Sequence, residues 1–165
     1  MVIWIIGLSS SGKSKIAGLV YKRLKKKKIN TVWLDGDKVR NIYNDKLGHT
    51  LKDREKNAQR ISKLTKYFSD QNINVIASVL SNFPKWQNWN KKNIKNYKQV
   101  YLKVSLENLI LRDKKNLYKK ALKKKRKNVV GIDLKFHEPL NSDLIIDNNK
   151  KTKNFNKIVN KILNL

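Results

Sequence analysis

Gly7-Leu8-Ser9-Ser10-Ser11-Gly12-Lys13-Ser14 satisfies the pattern G-x-x-x-x-G-K-[ST], and it follows directly on the all-apolar run Val2–Ile6. An apolar run of that length, bounded by glycine, reads as a strand buried on both faces. Behind the motif, Ile16, Leu19, Val20 and Leu24 recur at helical spacing from Lys13 to about Lys27. Strand, glycine-rich turn and helix in that order make a phosphate cradle. The glycines allow backbone angles that turn several N–H groups inward around an anion. The helix start aims its positive dipole end at the same place. Lys13 is placed to reach the β- and γ-phosphates of ATP, and the Ser14 hydroxyl to ligate Mg²⁺. The motif alone leaves open whether ATP is hydrolysed or gives its phosphate away.

Further along, Thr31–Leu34 is a second short apolar run, ending in Asp35-Gly36-Asp37. A long helix is predicted from Lys52 to about Gln71, with Ala58, Ile61, Leu64, Tyr67 and Phe68 facing inward. Ile73–Val79 reads as a third strand, Ser81 to Lys85 as a loop around Pro84, and Trp86–Asn96 as a polar helix. Val100–Val104 is a fourth strand, with Ser105 positioned to cap a short helix after it. Leu144–Ile146 is a fifth strand before a terminal helix from about Phe155. Strands alternating with helices predict an α/β fold with a parallel sheet covered on both faces. No internal repeat or Pro/Gly/Ser linker interrupts it, so residues 1–165 read as one domain.

Asp35-Gly36-Asp37 at the end of the second strand falls at the carboxyl edge of the sheet, beside the phosphate loop. A carboxylate there can ligate Mg²⁺ or take the proton of an attacking hydroxyl. The plainer alternative is a turn in which Asp37 caps the next helix. With only 12 acidic residues in the chain, two of them around one glycine at a strand end favour the functional reading. Arg40 lies three residues on, able to take a phosphate or sulfate bidentately. Arg54 and Asn57, three apart in the predicted long helix, share a face; a common ligand and an ordinary charged first turn both fit.

The bulk properties exclude more than they assign. There is no cysteine, hence no disulfide or thiolate metal site, which fits a reducing cytoplasm. No apolar stretch approaches the roughly 20 residues that cross a bilayer, and Val2–Ile6 is too short for a signal peptide. Lys and Arg number 39, giving a formal charge of +27. The runs Lys25–Lys28 and Lys119–Lys127 could contact nucleic-acid phosphates. Abundant lysine, asparagine and isoleucine together are also what an AT-rich genome supplies, with lysine filling exposed positions. Charge alone reports non-specific attraction, so no specific nucleic-acid partner is expected. His49 and His137 read as polar surface or packing residues, and Trp4, Trp33, Trp86, Trp89 and Phe136 as core.

The motifs in their order resemble the adenylylsulfate (APS) kinases, from about residue 2 to 148. The matching segments are Gly7–Ser14, Leu34-Asp35-Gly36-Asp37-Lys38-Val39-Arg40, and Leu47-Gly48 with Asp53-Arg54-Glu55-Lys56-Asn57 and Arg60. They continue with Val75-Ile76-Ala77-Ser78, Arg112-Asp113, Leu117-Tyr118-Lys119-Lys120-Ala121, Gly131-Ile132-Asp133, Glu138-Pro139 and Asp143-Leu144. The resemblance implies a P-loop kinase fold with a five-stranded parallel sheet and a mobile lid over about residues 112–133. It implies transfer of the ATP γ-phosphate to the ribose 3′-hydroxyl of adenylylsulfate in sulfate activation, with ATP and Mg²⁺ as cofactors, and a tendency to dimerise.

On this resemblance the ATP side comprises Gly7, Ser9, Ser10, Ser11, Gly12, Lys13, Ser14 and Lys15, with Arg112 from the lid. Ser14 and Asp35 would hold Mg²⁺, and Asp37 would meet the 3′-hydroxyl. Arg40, Arg54, Asn57, Ser81, Lys115 and Val129 would touch the acceptor nucleotide. Ser81 aligns with a family serine sometimes taken as a phosphorylated intermediate, but direct in-line transfer makes it a binding residue. The Lys119/Lys120 pair would neutralise the phosphoryl group in transit. Departures fall on the acceptor side. The family usually reads Ile-Ser-Pro-Tyr-Arg after the third strand, where this chain has Leu80-Ser81-Asn82-Phe83-Pro84-Lys85-Trp86. Asn41 and Val129 stand where the family stacks the acceptor adenine between aromatic rings. The Asn82–Tyr97 stretch is similar to a branch acting on cytidine diphosphoramidate in surface polysaccharide modification.

Overall fold

The computed structural model describes residues 1–43, 46–150 and 154–165. Five parallel strands lie in the order β2-β3-β1-β4-β5. They are β1 (Val2–Ile6), β2 (Thr31–Asp35), β3 (Asn74–Val79), β4 (Tyr97–Lys103) and β5 (Leu144–Asp147). Seven helices are described: α1 (Lys13–Lys26), α2 (Gly36–Ile42), α3 (Leu51–Asp70), α4 (Pro84–Asn93), α5 (Leu106–Leu111), α6 (Leu117–Leu122) and α7 (Phe155–Leu163). β1 sits at the centre because both its faces are apolar, and every one of its residues is buried. Its alternate side chains feed two cores. Ile3 and Ile5 meet Ile16, Ala17 and Val20 of α1 and Ile158 and Ile162 of α7 on one face. Val2, Trp4 and Ile6 meet Val39 of α2 and Ile61 of α3 on the other. Truncating one of these isoleucines to alanine is worth about 2–5 kcal/mol in stability.

The order places the loop after β1 next to the ends of β3 and β4, where the chain switches direction along the sheet. Such a switch point opens a crevice beyond the carboxyl ends of the strands. A third, smaller cluster of Val104, Leu109, Tyr118, Ala121 and Val129 lies in the segment between β4 and β5. No described helix is long and apolar enough to cross a membrane.

Some boundaries differ from those the sequence predicts. β4 begins at Tyr97, because Gln99 is fully buried yet satisfied: its amide donates to Ser142 Oγ and its carbonyl accepts from the Tyr97 hydroxyl. Paired polar side chains hide a strand from hydropathy. α4 begins at Pro84, which suits a first helical turn that needs no N–H. Tyr67, predicted to face inward, is 61% exposed; Asn57, Ser62 and Thr65 share the buried face of α3 with Ile61. α3 starts from a capping box in which Thr50 and Asp53 satisfy each other's backbone N–H groups. Ser105 caps α5, accepting from the Asn108 N–H as its position predicts. Trp4 and Trp86 are buried, and Trp33, Trp89 and Phe136 pack at the margins of the two main cores.

Candidate active site

Between β1 and α1 the chain turns through Ser10 at φ 62° and Gly12 at φ 97°. The second angle is one that a residue with a Cβ adopts only under strain. Gly7 is required for space: a Cβ there would stand 2.5 Å from Ser11 Oγ and 3.1 Å from the Leu102 carbonyl oxygen. Three other elements hold the loop. The Lys13 ammonium donates to the Leu8 carbonyl at 3.0 Å. Asn148, just past β5, donates its amide to the Ser11 carbonyl at 2.9 Å. The Tyr118 hydroxyl on α6 donates to the Ser9 carbonyl at 3.0 Å. Burial pushes the Lys13 ammonium down to about 8, with Asp37 and Asp35 opposing the shift. A cation desolvated this far is poised to gain strongly from a phosphate.

Asp35 ends β2 and is the N-cap of α2, accepting from the Asp37 N–H at 3.1 Å on Oδ1. This corrects the alternative in which Asp37 is the cap. The other oxygen, Oδ2, accepts from the hydroxyls of Ser14 and Ser78, both at 2.8 Å. Burial alone would raise this carboxyl, but the two hydroxyls and the N–H groups of Asp37 and Lys38 outweigh it and hold it below its ordinary value. With its oxygens engaged and its charge stabilised, Asp35 is suited to orienting a metal ligand and poorly suited to taking a proton. Among the described residues no group of three or more His, Cys, Asp or Glu could hold a metal alone. The hard oxygens of Ser14 and Asp35 do fit a Mg²⁺ that completes its shell with phosphates and water.

On the other side of α2 lie two guanidiniums. Arg40 donates to the Gly48 carbonyl, while its Nε is buried without a partner. Arg54 donates through Nε to the His49 carbonyl at 2.9 Å and through Nη2 to the Asn128 carbonyl at 2.8 Å. Among the described residues no carboxylate forms an ion pair with either. Burial lowers both, and Arg40 further lowers Arg54 by direct repulsion. Two like charges held together beside buried backbone make an anion site. Asn57 donates to the Gly36 carbonyl at 3.0 Å, fixing α3 against the first turn of α2, and keeps a buried carbonyl oxygen unpaired.

The remaining sequence-predicted residues divide. Ser81, at the exit of β3, takes a left-handed conformation at φ 50° and accepts from the Trp4 indole at 3.4 Å. Arg112 spends its guanidinium on the Asn148 and Asn149 carbonyls, which buttress the phosphate loop from behind. Lys15 turns away, its ammonium 3.9 Å from the centre of the Phe155 ring. Lys115 is exposed ahead of α6, and Lys119 and Lys120 are exposed on it. Val129 is 2% exposed within the small cluster under α6, so its side chain offers no open surface. Ser78, Asn148 and Tyr118 escaped the sequence reading as site residues. Asn148 could have been found from its place just past a strand's carboxyl end, where ligands of open sheets gather.

Residues 1–147, which hold the phosphate loop and the capped acidic turn, match the family described as Adenylylsulphate kinase. The chain belongs to the adenylylsulphate kinase family. It is accordingly a kinase that moves a phosphoryl group to a hydroxyl. Within the family it is 41% identical over 150 residues to a cytidine diphosphoramidate kinase of Campylobacter jejuni, spanning 89% of this chain and 85% of that protein. It is also 41% identical over 147 residues to an adenylyl-sulfate kinase of Thermodesulfovibrio yellowstonii, spanning 88% of this chain and 74% of that one. The solved APS kinase of Mycobacterium tuberculosis, in complex with AMPPNP and APS, matches the fold with a TM-score of 0.88. Its sequence identity is 28%, over 99% of this chain and 95% of that chain.

Proposed function

We propose that this kinase transfers the γ-phosphoryl group of ATP to the ribose 3′-hydroxyl of a small nucleotide, adenylylsulfate first among acceptors, as a step of sulfate activation. The observation that carries this reading is the convergence on α2. Its N-terminus joins Asp35 to Ser14 of the phosphate loop at 2.8 Å, and its other side carries Arg40 opposite Arg54. Donor and acceptor anions then meet across Asp37.

In the reaction the 3′-oxygen attacks the γ-phosphorus in line, and the bond from that phosphorus to the β,γ-bridging oxygen of the departing ADP breaks. Asp37 accepts the hydroxyl proton; unlike Asp35, its carboxylate is not tied up in capping or hydroxyl contacts. Lys13 stabilises negative charge on the transferring group, and the lid lysines Lys115, Lys119 and Lys120 close over it from above. Mg²⁺, held by Ser14 and Asp35 together with the phosphates, supplies charge neutralisation when bound. The lid spans about residues 112–133, and its Arg54–Asn128 contact ties it to the acceptor side. This reading includes a cytoplasmic setting for the reaction. The homodimer implied by the family is read directly by sedimentation.

A second acceptor, a cytidine diphosphate derivative, is favoured by one specific feature. Asn41 is exposed and polar and Val129 is buried, so neither supplies the broad apolar face that a purine stacks on. A side-by-side assay with ATP, Mg²⁺ and either adenylylsulfate or cytidine diphosphoramidate decides between them. Preference for adenylylsulfate is expected; preference for the cytidine compound overturns the first acceptor and leaves the reaction type intact.

A further inference from the structure

We propose that Trp33 is a positioning residue for the metal-holding pair Ser14 and Asp35, acting through the hydroxyl of Ser78. The inference rests on the reading of that pair as the Mg²⁺ site, and it concerns a side chain that touches neither nucleotide.

The geometry is a relay of four residues across three elements. Trp33 precedes Asp35 by two residues on β2, so both side chains leave the same face of the sheet. Ser78 on β3 is the register partner of Asp35. The Trp33 indole N–H donates to Ser78 Oγ at 3.0 Å. Ser78 Oγ donates to Asp35 Oδ2 at 2.8 Å, and the same oxygen accepts from Ser14 Oγ at 2.8 Å. Ser78 is 2% exposed, so solvent offers it no alternative partner.

The inventory of donors explains the direction of the relay. A hydroxyl carries one hydrogen and two lone pairs, whereas an indole N–H can only donate. With Trp33 occupying a lone pair, the single hydrogen of Ser78 is committed to Asp35. That second donor holds the carboxylate where Oδ2 also draws the Ser14 hydrogen, leaving the Ser14 lone pairs for a cation. Replace the indole by a ring without N–H, and the Ser78 rotor is no longer fixed.

The ring itself is clamped. A Cβ on Gly18 of α1 would stand 3.3 Å from its Cη2 atom, so the glycine makes room for it. The Tyr21 ring lies 6.2 Å away on one side, and the Lys38 ammonium of α2 sits 5.3 Å from the ring centre. The indole is thus held between the helix that follows the phosphate loop and the helix that Asp35 caps. A side chain packed this closely on two site helices has little freedom to re-aim its donor.

The test uses Trp33→Phe, Ser78→Ala and the double variant. Two quantities are followed: the Mg²⁺ concentration for half-maximal binding of a fluorescent ATP analogue, and kcat at saturating Mg²⁺. Outer-shell partners of a metal site typically cost roughly ten-fold or more in metal affinity when removed. Each single variant is expected to raise the Mg²⁺ requirement roughly ten-fold with kcat at saturation little changed, and the double variant to be no worse than Ser78→Ala alone. A role for Trp33 in packing only would instead add to the Ser78→Ala effect, and additivity overturns the proposal. So does an unchanged Mg²⁺ requirement in Trp33→Phe. Because that variant also alters packing, an independent readout is the ¹⁵N–¹H resonance of the Trp33 indole in the ATP-bound wild type. It should move on adding Mg²⁺; a resonance indifferent to the metal contradicts the relay. ATP binding that is Mg²⁺-independent in the wild type would defeat the site assignment together with this inference. Normal Mg²⁺ dependence with an unaffected Trp33→Phe defeats this inference alone.

Discussion

Asp35 and Asp37 are separated by one glycine, yet their surroundings give them different work. Asp35 accepts from two hydroxyls and caps α2, so it stays charged and orients its neighbours. Asp37 lies near enough to Lys13, Arg40 and Arg54 for its charge to act on all three. Asp37→Asn is expected to bind ATP normally while kcat falls by roughly two to four orders of magnitude, the span general-base groups contribute. ATP titration and turnover measured on the same preparation check this, and a near-normal rate would return the base role to Asp35. Lys13 gives a pH prediction. Its value falls from 10.5 to about 8 on folding, so between those two pH values the unfolded chain holds more protons than the folded one. This residue's contribution to apo stability therefore rises with pH across that window, and below it the buried charge is a cost. A bound phosphate favours the charged form, so ATP binding at pH 8 is expected to take up about half a proton per site. Calorimetry in two buffers of different ionisation enthalpy reads it directly; no buffer dependence would place the ammonium in open solvent.

At the scale of elements, α6 is the piece that joins the segment between β4 and β5 to the phosphate loop. Tyr118 is fully buried, and its hydroxyl reaches the Ser9 carbonyl at 3.0 Å. Its N–H and that of Lys119 cap onto the Asp113 carboxylate, which starts the helix in place of Asn116. Tyr118→Phe keeps the ring and loses one hydrogen bond. It is expected to raise KM for ATP roughly two- to ten-fold with kcat nearly constant, in line with a neutral hydrogen bond of about 0.5–1.5 kcal/mol. A drop in kcat with unchanged KM would assign the contact to the chemical step instead. The same element marks where sequence reading stops. The first strand, the phosphate loop and α1 were legible because one apolar run and one glycine pattern carry them in a continuous segment. α2 and α6 are shorter than two full heptads and start from side-chain caps, so hydropathy gives them no period to show. The contact between Tyr118 and Ser9 spans 109 residues, and no local pattern encodes it. Ser78 was visible only as part of a motif; its partners on β2 and in the loop became apparent once strand register was known.

For the whole molecule, the question is what 39 basic residues against 12 acidic ones do. Residues 123–127, beyond α6, are all exposed, and Arg23, Lys25 and Lys26 sit in the last turn of α1 where cations favour the helix dipole. The net charge of +27 attracts anionic nucleotides to the surface as a whole. The expected consequence is kinetic. Raising ionic strength from low to physiological should lower kcat/KM for the anionic substrates roughly ten-fold while leaving kcat unchanged. Stopped-flow binding at several salt concentrations checks it, and a flat profile would reduce the charge to composition without function. The parallel sheet was legible from the alternation of apolar runs. The packing of Val129 was not, because only the folded chain shows it turned into a small core of its own.

The central claim is that Lys13, Ser14, Asp35 and Asp37 move a phosphoryl group from ATP to a nucleotide ribose hydroxyl. Incubation with γ-labelled ATP, Mg²⁺ and the acceptor, followed by locating the label, tests it most directly. Label is expected on the acceptor 3′-oxygen and none on the protein, with transfer lost in Lys13→Ala. Label appearing only as inorganic phosphate, or on Ser81 as a competent intermediate, would contradict it.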